Sequence, residues 1–414
     1  MQRRDFIQTC SSATAGMLLT GISGLALRNN DLQSGELFVL VFLRGGCDGL
    51  QLVAPVNDRH YFADREQALR VTESGDNAGL LIKNGLGQTD FRLHAAAAQL
   101  KELYDADQLA IIHSCGLTNG TRSHFDAQDM IEKGIQKKQP INEGWLARYL
   151  NTINNKSNFT AIAAGAAMPL SLWGAPTAVS VNNLGDFALQ ADGHFNNIIR
   201  KAYNDPSGSA LGKTALQTFY TIDMLQKKIP RKGNGEAIDY KPDRDAQYMD
   251  DDFGKSMKNI AQLIKLDIGL HVATVDYGGW DTHEYQAYRF PGLVKSLSQN
   301  LHAFYNDLDR YHGRLTVLVM SEFGRRIKSN KSNGTDHGYG NAMMVLGGNV
   351  KGGNMYGDWK GLATEALDNG VDLAVTTDYR TILQEILTKR MGANTSMDYI
   401  LPGFKSNSVL GFIG

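Results

Sequence analysis

Four polar clusters in this chain have the residue types for catalysis, and each follows an apolar run. Asp48 stands in RGGCDGL, and Arg122, Ser123 and His124 stand in NGTRSHFD. Asp281 and His283 stand in GGWDTHEYQ, and Glu322, Arg325, Asp336 and His337 in SEFGRRIKSNKSNGTDHG. Carboxylate oxygens and imidazole nitrogens bind divalent metals, and a catalytic metal site keeps one position open for water or substrate. Any one of these pairs alone is a weak signal, because a loop His is more often structural than a ligand. Ser123 precedes the helical pattern of Phe125 to Lys133. A hydroxyl there either caps the helix or acts as a nucleophile supported by the helix's positive end, and residue type alone points to the cap.

The elements that must position these groups can be read from periodicity. The runs ELFVLVFL (Glu36 to Leu43), LAIIH (Leu109 to His113), LHVATV (Leu270 to Val275) and LTVLVM (Leu315 to Met320) are expected to be strands buried on both faces. Shorter strands are expected at Ile162 to Ala167, Ala178 to Val181 and Ala342 to Leu346. Amphipathic or helix-rich patterns cover 94–105, 125–133, 145–150, 210–227, 253–266, 293–311 and 379–391. Strand, polar loop and helix recur in that order, which predicts an α/β fold. Its form is a doubly wound three-layer α/β/α sandwich on a mostly parallel sheet. In such sheets ligands collect beyond the carboxyl ends of the strands, so all four clusters fall on one edge. That coincidence, rather than any single motif, carries the metal reading. The stretch around 182–252 is polar and weakly patterned and reads as an insertion, lid or linker within one domain spanning 31–414.

Forty-two basic residues balance 43 acidic ones, so no basic excess suggests a nucleic-acid partner. Residues 1–30 read as a targeting segment, with Arg3-Arg4 followed by Asp5-Phe6-Ile7 and then an apolar, small-residue stretch. This resembles the twin-arginine signal, whose machinery exports folded proteins to the periplasm or beyond. Both a cleaved leader and an uncleaved one that anchors the chain to the membrane fit the segment. Beyond the leader, Cys47 and Cys115 fit either one disulfide or two buried thiols, and two cysteines are too few for a cysteine metal site.

The segments LVFLRGGCDGL, TRSHFDAQDMIEKG, GGWDTHEYQ and SEFGRRIKSN…GTDHG, together with the leader, resemble in order those of the bacterial domain of unknown function 1501 family. That family is grouped by resemblance with the alkaline phosphatase and sulfatase superfamily. The resemblance implies an alkaline phosphatase-like domain that hydrolyses phosphate or sulfate esters, of a small molecule or a glycan, with divalent metal such as Zn, Mn or Ca. It implies metal ligands at Asp48, Asp281, His283, Glu322 and His337, with His124 or Asp336 as a substitute ligand. It places Ser123 as nucleophile, and Arg122 and Arg325 on the anionic oxygens. Phe323 stands where the superfamily has a His ligand, which weakens one of two metal positions. It also favours an alternative, a degenerate exported binding or assembly protein. A mutase or lyase chemistry is a third reading.

Overall fold

The structure is a computed structural model, which describes residues 35–153, 159–182, 193–203, 209–233, 238–406 and 408–414. The leader reading falls outside these residues. A nine-stranded sheet forms the middle layer. Across it the order is Met355–Tyr356, Leu109–Gly116, Asn341–Gly347, Leu315–Ser321, Leu37–Leu43, Val272–Tyr277, Ala161–Ala164 and Ala178–Val181. Thr377–Asp378 also pairs with Leu109–Gly116. Asn341–Gly347 is antiparallel to both neighbours, and every other pairing in this sheet is parallel.

The Leu37–Leu43 strand lies at the centre, and all seven of its residues are buried. Successive side chains point to opposite faces. Leu37, Val39, Val41 and Leu43 therefore pack with helices Ala98–Asp105, Asp252–Lys265 and Gln286–Asp307. Phe38, Leu40 and Phe42 pack with His124–Glu132, Trp145–Thr152 and Tyr379–Lys389. These are the three layers that the strand and helix patterns predict. Each large apolar side chain so buried contributes about 1.5–3 kcal/mol.

Two elements depart locally from the expected pattern. The helix expected from Leu293 begins at Gln286, and Pro291 lies inside it. A proline that close to the start forfeits few intrahelical bonds. A further helix, Gly193–Tyr203, lies in the polar stretch alongside Ala210–Lys228. Cys47 and Cys115 are free buried thiols in the cores on opposite faces of the sheet. The disulfide alternative is thus not formed. Among the described residues, no helix is long and apolar enough to cross a membrane.

Two histidines behind the sheet edge carry a prediction. Burial pushes both His94 and His113 down to about 4, and His113 is fully buried with Nε2 3.2 Å from the Val53 carbonyl. An unfolded His takes up its proton near its ordinary value, whereas these stay neutral until about 4. Their contribution is therefore whole above about 6.5 and is lost as pH falls toward 4. Denaturant titrations at stepped pH should show this decline. His113→Gln should flatten the slope by about 1.4 kcal/mol per pH unit, one proton's worth.

Candidate metal centre

The edge at the carboxyl ends of the strands is built from the Leu37–Leu43 strand outward. The chain leaves that strand through Arg44-Gly45-Gly46, and the Gly45 N–H donates to Glu322 Oε1 at 2.9 Å. Glu322 follows the neighbouring strand directly and is fully buried. Its Oε1 also accepts from Gln128 at 2.8 Å and lies 2.9 Å from His124 Nδ1, while Oε2 accepts from the Ser321 hydroxyl at 3.0 Å. Burial raises the Glu322 carboxyl, but hydrogen bonds from His124, the backbone, Gln128 and Gly45 outweigh it and hold it at about 2. An ionised carboxylate with this many partners is a holder of other groups.

What it holds is His124, the first residue of its helix. With Nδ1 on Glu322, the ring turns Nε2 inward, where that nitrogen is buried without a hydrogen-bond partner, 3.5 Å from Asp281 Oδ2. The hydrogen bond to Glu322 outweighs burial and raises the His124 pKa. His337 comes from the far side of a two-stranded ribbon, Arg325–Ser329 with Thr335–His337. Its Nδ1 is 2.8 Å from the Arg122 carbonyl and its Nε2 is 3.0 Å from Asp281 Oδ1. Burial lowers its pKa against the opposing pull of Asp281. His283 has Nδ1 3.1 Å from Asp336 Oδ1, while its Nε2 lies 2.8 Å from His337 Nε2 and 3.1 Å from Asp281 Oδ1.

All three rings thus share one arrangement: Nδ1 faces an acceptor, and Nε2 faces the Asp281 carboxylate. A carbonyl or carboxylate fixes the proton on Nδ1, which leaves the Nε2 lone pair outward, as metal-binding imidazoles are held. Burial alone would raise the Asp281 carboxyl, but Arg325 and His337 bring it down to about 2. Arg325 reaches the Asp281 Oδ1 alone, so the three converging lone pairs still form a pocket of acceptors that a divalent cation would satisfy. The ligand atoms of His124, Asp281 and His337 lie within 4.8 Å of one another. Chemistry of the donor set and the orphaned His124 Nε2 both fit a divalent ion.

The remaining sequence candidates are placed differently from their implied roles. Asp48 is fully buried in an ion pair with the equally buried Arg65, and it also accepts from Gln286 at 2.6 Å and the Gln51 N–H at 3.1 Å. Those bonds use its oxygens, so it stands as a strut. Glu322 and Asp336 orient imidazoles in place of ligating. The Ser123 hydroxyl accepts from the Asp126 N–H at 3.4 Å, as a helix cap does. Arg325, fully buried, donates to the Gly45, Gly46, Trp280 and Thr335 carbonyls and to Asp281, so it is engaged with the protein's own groups and not presented to an anion. Arg122 pairs with Asp372 and lies over the Tyr339 ring, 4.8 Å to its centre. Phe323 packs its ring 4.9 Å from His124 and 4.7 Å from His337, an apolar wall on one side of the site.

Sequence reasoning missed Gln128, although it lies one helical turn after His124 and so on the same face. It also missed Asp372, which had no periodic or motif signal. Gly45 shows how tight the site is. Its φ of +119 suits glycine, and an added Cβ would collide with the Asp281 backbone nitrogen. Gly45→Ala is expected to displace the Asp281 loop, lowering metal occupancy and thermal midpoint together, as elemental analysis and calorimetry would show.

No curated protein matches the sequence. Solved structures similar to the chain include Ps i-CgsB in complex with k-i-k-neocarrahexaose, with 11% identity, 78% of this chain and 68% of that chain covered, and a TM-score of 0.32. The C-terminal periplasmic domain of EcEptC from Escherichia coli, in complex with Zn, has 8% identity, 79% and 77% coverage and a TM-score of 0.34. The phosphonate monoester hydrolase SpPMH from Silicibacter pomeroyi has 9% identity, 78% and 70% coverage and a TM-score of 0.36. Likenesses this distant say nothing of this chain's activity. The sequence profile described as "Protein of unknown function (DUF1501)" matches residues 226–391, a segment that contains Asp281, His283, Glu322, Asp336 and His337. Over that segment the chain is similar to the DUF1501 family, in line with the resemblance of its motifs.

Proposed function

We propose that this protein is an exported hydrolase of phosphate or sulfate esters that works with one divalent ion held by His124, Asp281, His283 and His337. The observation that carries this reading is the convergence of three Nε2 atoms on Asp281 while each Nδ1 is tied to its own acceptor. A divalent ion bound there would polarise an ester oxygen and lower the pKa of water. The imidazole-rich donor set suits Zn or Mn better than Ca, which prefers six to eight oxygens. Glu322 and Asp336 keep two rings in register, Asp281 brings the negative charge, and Phe323 walls one side of the site. With Ser123 serving as a cap, water is the nucleophile in this reading. The substrate is a small-molecule or glycan ester met outside the cytoplasm, reached by twin-arginine export of a single domain with its polar insertion around 182–252.

One observation favours a second reading. Both arginines implied as anion binders, Arg122 and Arg325, are engaged with the protein's own groups. A metal-bearing but degenerate binding or assembly protein would look the same. The two separate on one preparation of the protein. Bound metal with turnover of p-nitrophenyl phosphate or p-nitrophenyl sulfate that Asp281→Asn abolishes supports the hydrolase. Bound metal without turnover of either ester supports the second reading, and a preparation that takes up no metal sinks both.

A further inference from the structure

Asp372 is a fully buried carboxylate in the loop before the last sheet pairing, in none of the four polar clusters. Its Oδ2 accepts from the Arg122 guanidinium, and its Oδ1 lies 3.6 Å from Arg326 Nε. A carboxylate is costly to bury and is retained where it fixes something. Here it fixes Arg122, whose own carbonyl receives the His337 Nδ1 proton and which stands two residues before His124. The next residue, Leu373, accepts through its carbonyl from the Gly340 N–H at 2.8 Å. Gly340 lies three residues past His337, and a Cβ on it would come within 2.7 Å of that same carbonyl. Between them, at Tyr339, the ring lies under the Arg122 guanidinium and the carbonyl accepts from the Gly324 N–H at 3.1 Å. One short loop segment thus grips the chain beside His124 and the chain beside His337.

We propose that Asp372 and Leu373 are positioning residues for the metal centre, acting through Arg122 and Gly340 to set the distance and angle between the His124 and His337 rings. The inference rests on the metal reading above and adds to it a part of the chain that touches no ligand atom. Outer partners of metal-binding imidazoles are worth about 10–100-fold in metal affinity. Asp372→Asn keeps the shape and an acceptor but loses the charge that orients Arg122. Gly340→Ala pushes the loop away from the other side and leaves Asp372 intact.

The test is titration of the metal-free protein with Co(II) alone, reading both the dissociation constant and the visible absorption bands that report ligand geometry. Both variants are expected to bind about 10–100-fold more weakly, with shifted bands. Variants with wild-type affinity and bands, whatever their melting points, would overturn the positioning role and leave the metal reading standing. A wild type that binds no Co(II) would overturn the metal reading and this inference with it. Should Asp372→Asn fail to fold, Gly340→Ala decides the matter by the same two readouts.

Discussion

Replacing His337 with Gln is expected to weaken divalent-metal binding by more than the roughly 10–100-fold that loss of an outer-shell partner costs. His337 contributes a ring whose Nε2 is within 3.0 Å of Asp281 and 2.8 Å of His283. Its loss takes away one ligand and leaves His283 Nε2 without its neighbour. His124→Gln should act similarly, because its Nε2 is already an orphan aimed at the same carboxylate. Glu322→Gln should fall inside the outer-shell range, since it touches only the Nδ1 side of His124. The ordering His337 or His124 before Glu322 is what calorimetric titration with Zn(II) and elemental analysis would check. Equal affinities for all three variants and wild type would place the ion elsewhere.

Asp48→Asn is expected to behave in the opposite way, costing stability and sparing the metal. Both members of the Asp48–Arg65 pair are fully buried, and Gln286 and Gln51 direct further hydrogen bonds at the carboxylate. Breaking such a pair from one side strands the other charge, at about 3–5 kcal/mol. The denaturant midpoint should drop sharply, while the folded fraction still binds Zn(II) with wild-type affinity. Replacing both partners together, Asp48→Leu with Arg65→Met, should recover much of the loss, because no unpaired charge remains. A fall in metal affinity without a fall in stability would restore Asp48 to the ligand role its position in the resemblance implies.

Why the sheet was legible and this distinction was not follows from what each depends on. The Leu37–Leu43 and Leu315–Ser321 runs are buried at every position, so composition alone marks them as central strands. Their ends mark the edge where Asp281, His283 and His337 meet, and residue type marks those three as candidate ligands. Whether an acid at that edge meets a metal or a guanidinium depends on a partner that leaves no periodic trace. Arg65 reaches Asp48 from a loop 17 residues on, and Asp372 reaches Arg122 across 250. Arg325 misleads for a related reason: guanidinium groups are seldom fully buried, and five backbone and side-chain acceptors around one are visible only in three dimensions. The direction of Asn341–Gly347 was equally hidden, since an apolar run reads the same in either sense.

The central strand's neighbours bear on when the ion can be bound. Gly45 meets Glu322 across 277 residues, and His124 meets the same carboxylate across 198. Contacts of such separation form late and slowly, and neither can form before Glu322 has been made. The candidate metal centre is therefore complete only once His337 has been made and packed beside Asp281. Under the twin-arginine reading of the leader, that assembly happens before translocation. The ligand geometry would then be set before the chain meets the metal pool outside the cytoplasm.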